Sequence, residues 1–377
     1  MIKRGLLAIG LLVFYQQVVA QNATKYSNEF LNLGLGARSM GMSNVAVSLI
    51  DDVTAGYWNP AGMVDIQDKV QASFMHSAYF AGIANYDYLG IATKPTENSA
   101  LGLTILRFGV DGILNTLDLI KNGEINYDRI TQFSAVDYAF MAHYAQTVQL
   151  PGSHRYSFLE DSKLSWGVNT KVINRKAGPF ATAWGFGFDA GARLTGLKYG
   201  WSFGVMAKDI TTTFNTWRYS FSERDKEVFA QTGNDIPIHT LELTLPRLIL
   251  GAGKKWDLDK FEIVTSTDFE ITTDGKRNTL IKSNPFSIDP RLGAEFSYKL
   301  KDKEDKISLR VGLGNIQKEM NKKGKRITSM MPTVGVGIKI KSFCIDYALT
   351  EIGDMSAGLY SNVFSVRFGF DAAKLKK

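Results

Sequence analysis

From about Val70 to Phe370, apolar residues alternate with small or polar ones in segments of roughly eight to twelve residues, the period of two that marks β-strands. In the clearest segment Trp184, Phe186, Phe188, Ala190, Ala192 and Leu194 share one face, while Gly185, Gly187, Asp189, Gly191 and Arg193 share the other. The same division separates Val136, Tyr138, Phe140, Ala142 and Tyr144 from Asp137, Ala139, Met141 and His143. It also separates Ile307, Leu309, Val311 and Leu313 from Ser308, Arg310 and Gly312. Alternation alone fits a soluble sandwich as well as a barrel. Asp189 and Arg193, however, lie on the small-residue face, where only a wet lumen or a protein interior holds charge.

The pattern predicts about fourteen strands, near 70–79, 84–94, 100–109, 133–148, 163–174, 183–194, 199–209, 242–254, 260–270, 290–300, 306–315, 332–340, 342–350 and 360–370. Bacterial barrels close with an even number. Connections after even strands are mostly short (94–98, 195–198, Lys341), with 149–162 as an exception. Those after odd strands include the long ones, 110–132, 210–241, 271–289 and 316–331. Short turns on one side and long loops on the other are what a barrel with both termini in the periplasm shows. Tyr86, Tyr88, Trp166, Trp201, Trp256, Tyr298, Tyr347 and Tyr360 fall near strand ends, where aromatic rings form interfacial girdles. The last strand puts Phe364, Val366, Phe368 and Phe370 on one face. The fold class is thus all-β, a transmembrane antiparallel β-barrel of about fourteen strands.

Residues 31–63 break the pattern, mixing Gly34, Gly36, Gly41, Gly56 and Gly62 with small polar residues and few apolar ones. Such a stretch keeps a fixed shape only inside something else, and a fourteen-stranded barrel is wide enough to need filling. The reading is an N-terminal hatch or plug over 21–68 inside a barrel of 69–370. Asp51 is expected to cap a short helix from about Asp51 to Trp58, which Pro60 stops by forcing Asn59 out of the α region. The hatch motif comprises Gly36, Arg38, Gly41, Asp51, Asp52, Trp58, Asn59, Pro60 and Gly62.

The run GARSMGMSNVAVSLIDDVTAGYWNPAGM resembles the N-terminal signature of the PorV/PorQ-type outer-membrane proteins of the type IX secretion system. FAGIANYDYLGIATKP, from Phe80 to Pro95, and GLTILRFGVDGILNT, from Gly102 to Thr116, resemble the same group. Together these stretches cover roughly the first third of the chain. The resemblance implies a FadL-like barrel with its N-terminal segment folded inside as a hatch. It also implies a non-enzymatic protein-interaction role, with the translocon barrel, secreted cargo carrying a C-terminal sorting domain and a surface attachment complex as partners. Phe214, Trp217, Tyr219, Phe221 and Phe229 in the longest predicted loop are the candidate partner-binding anchors, unless they pack against the loop's own rim. The more distant FadL resemblance implies an alternative, a transporter of hydrophobic small molecules, which needs an apolar pocket and a movable hatch.

The N-terminus has the form of a cleavable signal peptide over 1–20: Lys3 and Arg4, an apolar run from Gly5 to Phe14, and Val18-Val19-Ala20 before Gln21. That run is about half what a membrane-spanning helix needs. Export to the outer membrane is the expected location. The formal charge of +7 loses Lys3 and Arg4 on processing, leaving 42 − 37 = +5. Lys322, Lys323, Lys325, Arg326 and the basic tail 371–377 then fit solvated loops or anionic outer-leaflet lipid rather than nucleic acid. Cys344 stands alone, so no disulfide is expected.

No catalytic, metal or cofactor motif emerges. The four histidines, His76, His143, His154 and His239, are scattered. His143 and Asp137 lie on one strand and are expected to be a polar lumen pair. There is no G-x-S-x-G elbow, H-E-x-x-H pair or P-loop, and no third carboxylate stands at a fixed spacing from Asp51-Asp52.

Overall fold

On the sixth strand Trp184, Phe186 and Phe188 are exposed outward, whereas Asp189 and Arg193 are buried within. Repeated round the sheet, that division closes a barrel. The computed structural model describes residues 27–121, 123–148, 158–159, 162–235, 239–275, 277–283, 285–300, 304–320, 326–352 and 360–370. The expected signal peptide, most of the basic cluster at 322–326 and the basic tail lie outside the described residues.

Fourteen antiparallel strands form one closed barrel. They are β1 (Val70–Tyr79), β2 (Ala84–Thr96), β3 (Ser99–Asn115), β4 (Thr131–Val148), β5 (Lys163–Ala177) and β6 (Ala181–Thr195). Next come β7 in two halves (Trp201–Lys208 and Thr213–Tyr219) and β8 in two halves (His239–Thr244 and Arg247–Asp257). The remainder are β9 (Phe261–Thr272), β10 (Ser287–Lys299), β11 (Lys306–Met320), β12 (Arg326–Ile340), β13 (Phe343–Thr350) and β14 (Ser361–Phe370). Pairing of β14 with β1, Phe370 opposite Val70, closes the ring.

The loop predicted over 210–241 is shorter than expected, because both halves of β7 pair with β6. Even-numbered residues face inward before the break at 209–212 and odd-numbered ones after it, as Met206 and Lys208 then Thr213 and Asn215 show by their burial. Asp209 and Thr212 take left-handed backbone angles, φ 57° and 59°. Such a bulge inverts the alternation. A second inversion falls at Leu245-Pro246 in β8, where Pro246 has no N–H for the ladder. The predicted loop 316–331 also contracts, since β11 runs to Met320 and β12 starts at Arg326.

Trp166, Trp201, Trp256 and Tyr298 are exposed on the outer wall at the end carrying the short turns. There Lys254 Nζ lies 5.1 Å from the Trp201 ring and 4.9 Å from that of Trp256. Tyr86 and Tyr88 are not part of a girdle: they face inward and are fully buried under the hatch. Inside the wall, residues 27–68 fold with little regular structure: α1 (Ala37–Met40), α2 (Ala55–Trp58) and 3-10 turns at Glu29–Asn32 and Pro60–Asp65. A longer helix, α3 (Glu223–Gln231), crowns the β7–β8 loop, capped reciprocally by Ser222 and Asp225.

Candidate functional site

The hatch's own backbone hydrogen bonds are local, spanning three to five residues, so side chains tie its distant parts together. Trp58 Nε1 donates to the Leu35 carbonyl at 2.9 Å, and the Tyr57 hydroxyl to that of Leu31 at 2.6 Å. Asn59 holds the crossing point and is fully buried. Its Nδ2 donates to Val47 O in the hatch (3.0 Å) and to Ala192 O on β6 (3.2 Å), while its Oδ1 accepts from Ala61 N (3.2 Å). Pro60 opens the following 3-10 turn, where its missing N–H costs nothing. Gly36 turns the chain into α1 with φ 78°, a left-handed angle suited to glycine. Gly41 and Gly62 serve close contact: a Cβ at Gly41 would lie 3.1 Å from Gly335 Cα on β12, and one at Gly62 2.4 Å from the Ile50 carbonyl oxygen.

Asp51 does not cap a helix: α2 begins only at Ala55 and has no side-chain cap, and in the turn before it Asp52 Oδ1 accepts from Thr54 N at 2.9 Å. Asp51 turns instead to Arg38, 2.7 Å away. Three ion pairs then fasten hatch to wall: Arg38 to Glu295 on β10 (3.0 Å), Asp65 to Arg193 on β6 (2.7 Å), and Asp52 to Arg367 on β14. Around the lumen, Arg310 joins Glu295 to Asp346, Lys171 sits between Asp189 (2.7 Å) and Asp209 (2.5 Å), and Glu270 takes both Arg247 (3.0 Å) and Arg291 (2.7 Å). Removing one partner of such a buried pair leaves an uncompensated charge, at a cost of about 3–5 kcal/mol. Enclosure in the lumen opposes ionisation of Asp51, yet Arg38 and, after it, Arg367 prevail and bring its pKa down to about 2. Burial likewise works against the charge of Arg38, but Glu295, Asp51 and Asp52 hold its pKa above the usual value.

His143 and Asp137 do not form the expected pair. His143 meets Asn169 Oδ1 (2.7 Å) and Thr104 Oγ1 (2.9 Å), and Asp137 accepts from Arg175 (3.0 Å). Both ring nitrogens of His143 are thus committed to neutral partners. Among the described residues no cluster of His, Cys, Asp and Glu could hold a metal ion.

At the loop end the five candidate partner-binding residues separate. Phe214 lies on β7 and is exposed on the outer wall, whereas Trp217 and Tyr219, on the same strand, face inward; Phe221 and Phe229 lie in the loop and α3. Trp217, Tyr219 and Phe221 stack in succession at 6.3 and 5.9 Å between ring centroids. Phe221 also meets Phe229 (5.0 Å) and Phe180 (6.1 Å), and Phe180 meets Phe133 (5.3 Å). The result is an aromatic ladder from the loop down the inner wall of β4–β7, ending where the Arg175 guanidinium lies 5.1 Å from the Trp217 ring. Two polar cavities flank the hatch. One of about 120 Å³ at the turn end is lined by Arg38, Asp51, Glu295 and Arg367, and one of about 270 Å³ at the loop end by Glu29, Arg247, Thr272 and Arg291.

Wall charges such as Lys171, Asp209, Arg247, Glu270, Glu295 and Arg367 were not singled out from the sequence. Each except Asp209, which sits in the break of β7, stands on the small-residue face of its strand, the signal that did pick out Asp189 and Arg193. The phase inversion in β8 hid it for Arg247.

No family model and no curated protein matches the chain. Solved structures do. The Pseudomonas putida toluene transporter TodX is 12% identical, with 90% of this chain and 99% of that one covered at a TM-score of 0.54. A Pseudomonas aeruginosa FadL homologue is 12% identical, with coverages of 88% and 97% and a TM-score of 0.52. The Ralstonia pickettii toluene transporter TbuX is 12% identical, with coverages of 89% and 98% and a TM-score of 0.50. At such identity the likeness establishes the FadL-like fold of outer-membrane barrels.

Proposed function

We propose that the chain is a FadL-like outer-membrane transporter that takes up hydrophobic small molecules at its loop end and releases them past a hatch that shifts. The observation that carries this reading is the aromatic ladder from Phe229 and Phe221 through Tyr219 to Trp217, apolar surface leading from the loops into the lumen. The fold neighbours described as toluene transporters support it. Both cavities beside the hatch are polar, so an apolar solute passes only if the hatch moves. The test is initial uptake of radiolabelled toluene by cells producing the protein. Replacing Phe221 and Phe229 together with alanine is expected to lower uptake severalfold at an unchanged level of heat-modifiable barrel. Uptake equal to that of the native protein would remove the ladder from the argument.

A second reading is favoured by the loop at 116–130. There Ile120, Ile125 and Tyr127 are 57%, 59% and 73% exposed, apolar surface of the kind that meets another protein. With the resemblance of the hatch motif, this supports a PorV/PorQ-type role in type IX secretion, with the loop end contacting the translocon barrel or its cargo. Mild extraction and affinity purification separate the two. Recovery of a very large barrel, or of secreted proteins sharing a C-terminal domain, favours secretion; recovery of the chain alone favours transport.

A further inference from the structure

The loop-end cavity contains polar atoms that the fold leaves without partners. It lies between the hatch turn Glu29–Asn32 and the inner wall of β8, β9 and β10, and holds about 270 Å³. Arg247 and Thr272 stand directly opposite each other on β8 and β9, 8% and 4% exposed. Arg247 directs its two terminal nitrogens to Glu270 (3.0 Å) and Asp209 (3.5 Å), but its Nε–H has no acceptor, and the Thr272 hydroxyl has no partner either. On the hatch side Asn32 Nδ2 donates to Glu29 (2.7 Å), leaving Asn32 Oδ1 buried and unpartnered. Glu29 and Arg247 line the same cavity, yet no ion pair joins them among the described residues.

Buried polar groups are ordinarily satisfied, and three unmet needs around one cavity, beside the Glu29 carboxylate, describe what would satisfy them. The wall offers donors, the Arg247 Nε–H and the Thr272 hydroxyl. The hatch offers acceptors, the Glu29 carboxylate and Asn32 Oδ1. We propose that this cavity binds a small zwitterion of amino-acid or dipeptide size, its carboxylate on Arg247 and Thr272 and its ammonium on Glu29 and Asn32, bridging hatch and wall. A carboxylate on a guanidinium N–H and an ammonium on a carboxylate are both charge-assisted contacts. The proposal does not rest on hydrophobic transport, whose ladder lies on β4–β7.

The test is isothermal titration of the purified full-length barrel, in a non-ionic detergent, with glycylglycine. N-acetylglycine, which lacks the ammonium, and glycinamide, which lacks the carboxylate, serve as comparisons. Saturable binding of glycylglycine, at least tenfold tighter than either comparison, is expected. Thr272→Val and Glu29→Gln, both close in shape to the native side chains, are each expected to weaken it at least fivefold without altering heat-modifiability. Absence of saturable binding means that the cavity holds only solvent, and overturns the proposal. So does equal binding of N-acetylglycine, which marks a plain anion site, or native affinity in both variants, which puts the ligand elsewhere.

Discussion

Asn59 does for the hatch what a strand ladder does for the wall. It serves four backbone groups from two hatch segments, β6 and β7, and it is fully buried. Asn59→Ala leaves the Val47 and Ala192 carbonyls without this donor, at about 1–3 kcal/mol for each buried group left unsatisfied. The expected result is faster amide exchange across residues 45–62 with unchanged protection of the barrel strands; unchanged hatch protection would show that water replaces the side chain. Asp51 gives a pH dependence. Its pKa is lowered in the fold to about 2, from near 3.9 in an unfolded chain, so its pairing with Arg38 stabilises the hatch fully above about pH 4. That contribution is lost as pH falls through 2. The difference in hatch exchange between the native protein and Asp51→Asn is therefore expected to be constant from pH 7 to about 5 and to vanish near pH 2. A difference that disappears already at pH 5 would contradict the pairing.

At the level of elements, the hatch lies against the sheet because the wall is bare where they touch. A Cβ at Gly312 on β11 would stand 2.3 Å from Met42 C and Ser43 N, both backbone atoms that cannot swing aside. Gly312→Val is therefore expected to lift the Met42–Ser43 segment off the wall and to raise single-channel conductance in planar bilayers, while the barrel still shifts on heating. A closed, non-conducting variant would show that the hatch accommodates the clash. The element pattern itself was largely legible in the sequence. A strand with one face in lipid and one in a filled lumen must alternate, so Trp184 to Leu194 and Ile307 to Leu313 declared themselves. What failed was local. The bulge at 209–212 and Pro246 invert the alternation, so half of β7 and half of β8 read as loop and Trp217 as a surface anchor. Tyr86 and Tyr88 read as girdle residues because strand-end position does not tell inward from outward without the register. The hatch motif was found as a composition, but its partners Glu295, Arg193 and Arg367 are more than a hundred residues away, and only closure of the barrel brings them together.

At the scale of the whole molecule, the N-terminal segment supplies the carboxylates that two wall arginines lack from the wall itself. Residues 27–66 carry Glu29, Asp51, Asp52 and Asp65 against Arg38, a net of 1 − 4 = −3. Two of these acids hold wall arginines, Asp65 on Arg193 and Asp52 on Arg367. Arg38, in return, meets Glu295, which keeps a second partner in Arg310. Deleting 27–66 thus makes the lumen three charges more positive and leaves Arg193 and Arg367 facing water rather than carboxylates. The wall has its own ladder of backbone hydrogen bonds, closed from β14 to β1, and should stand without the hatch. The deleted barrel is expected to insert into planar bilayers as a conducting channel, because the hatch is what fills its centre. Its reversal potential in a potassium chloride gradient is expected to show preference for chloride, since two guanidiniums stripped of their carboxylates then stand in the conducting path. Removing both guanidiniums by Arg193→Gln and Arg367→Gln in the same deleted barrel should shift the preference toward potassium. A deleted barrel that conducts without preference would mean that the remaining wall charges, paired among themselves, already screen the lumen; preference for potassium from the start would refute the assignment of these arginines to the conducting path.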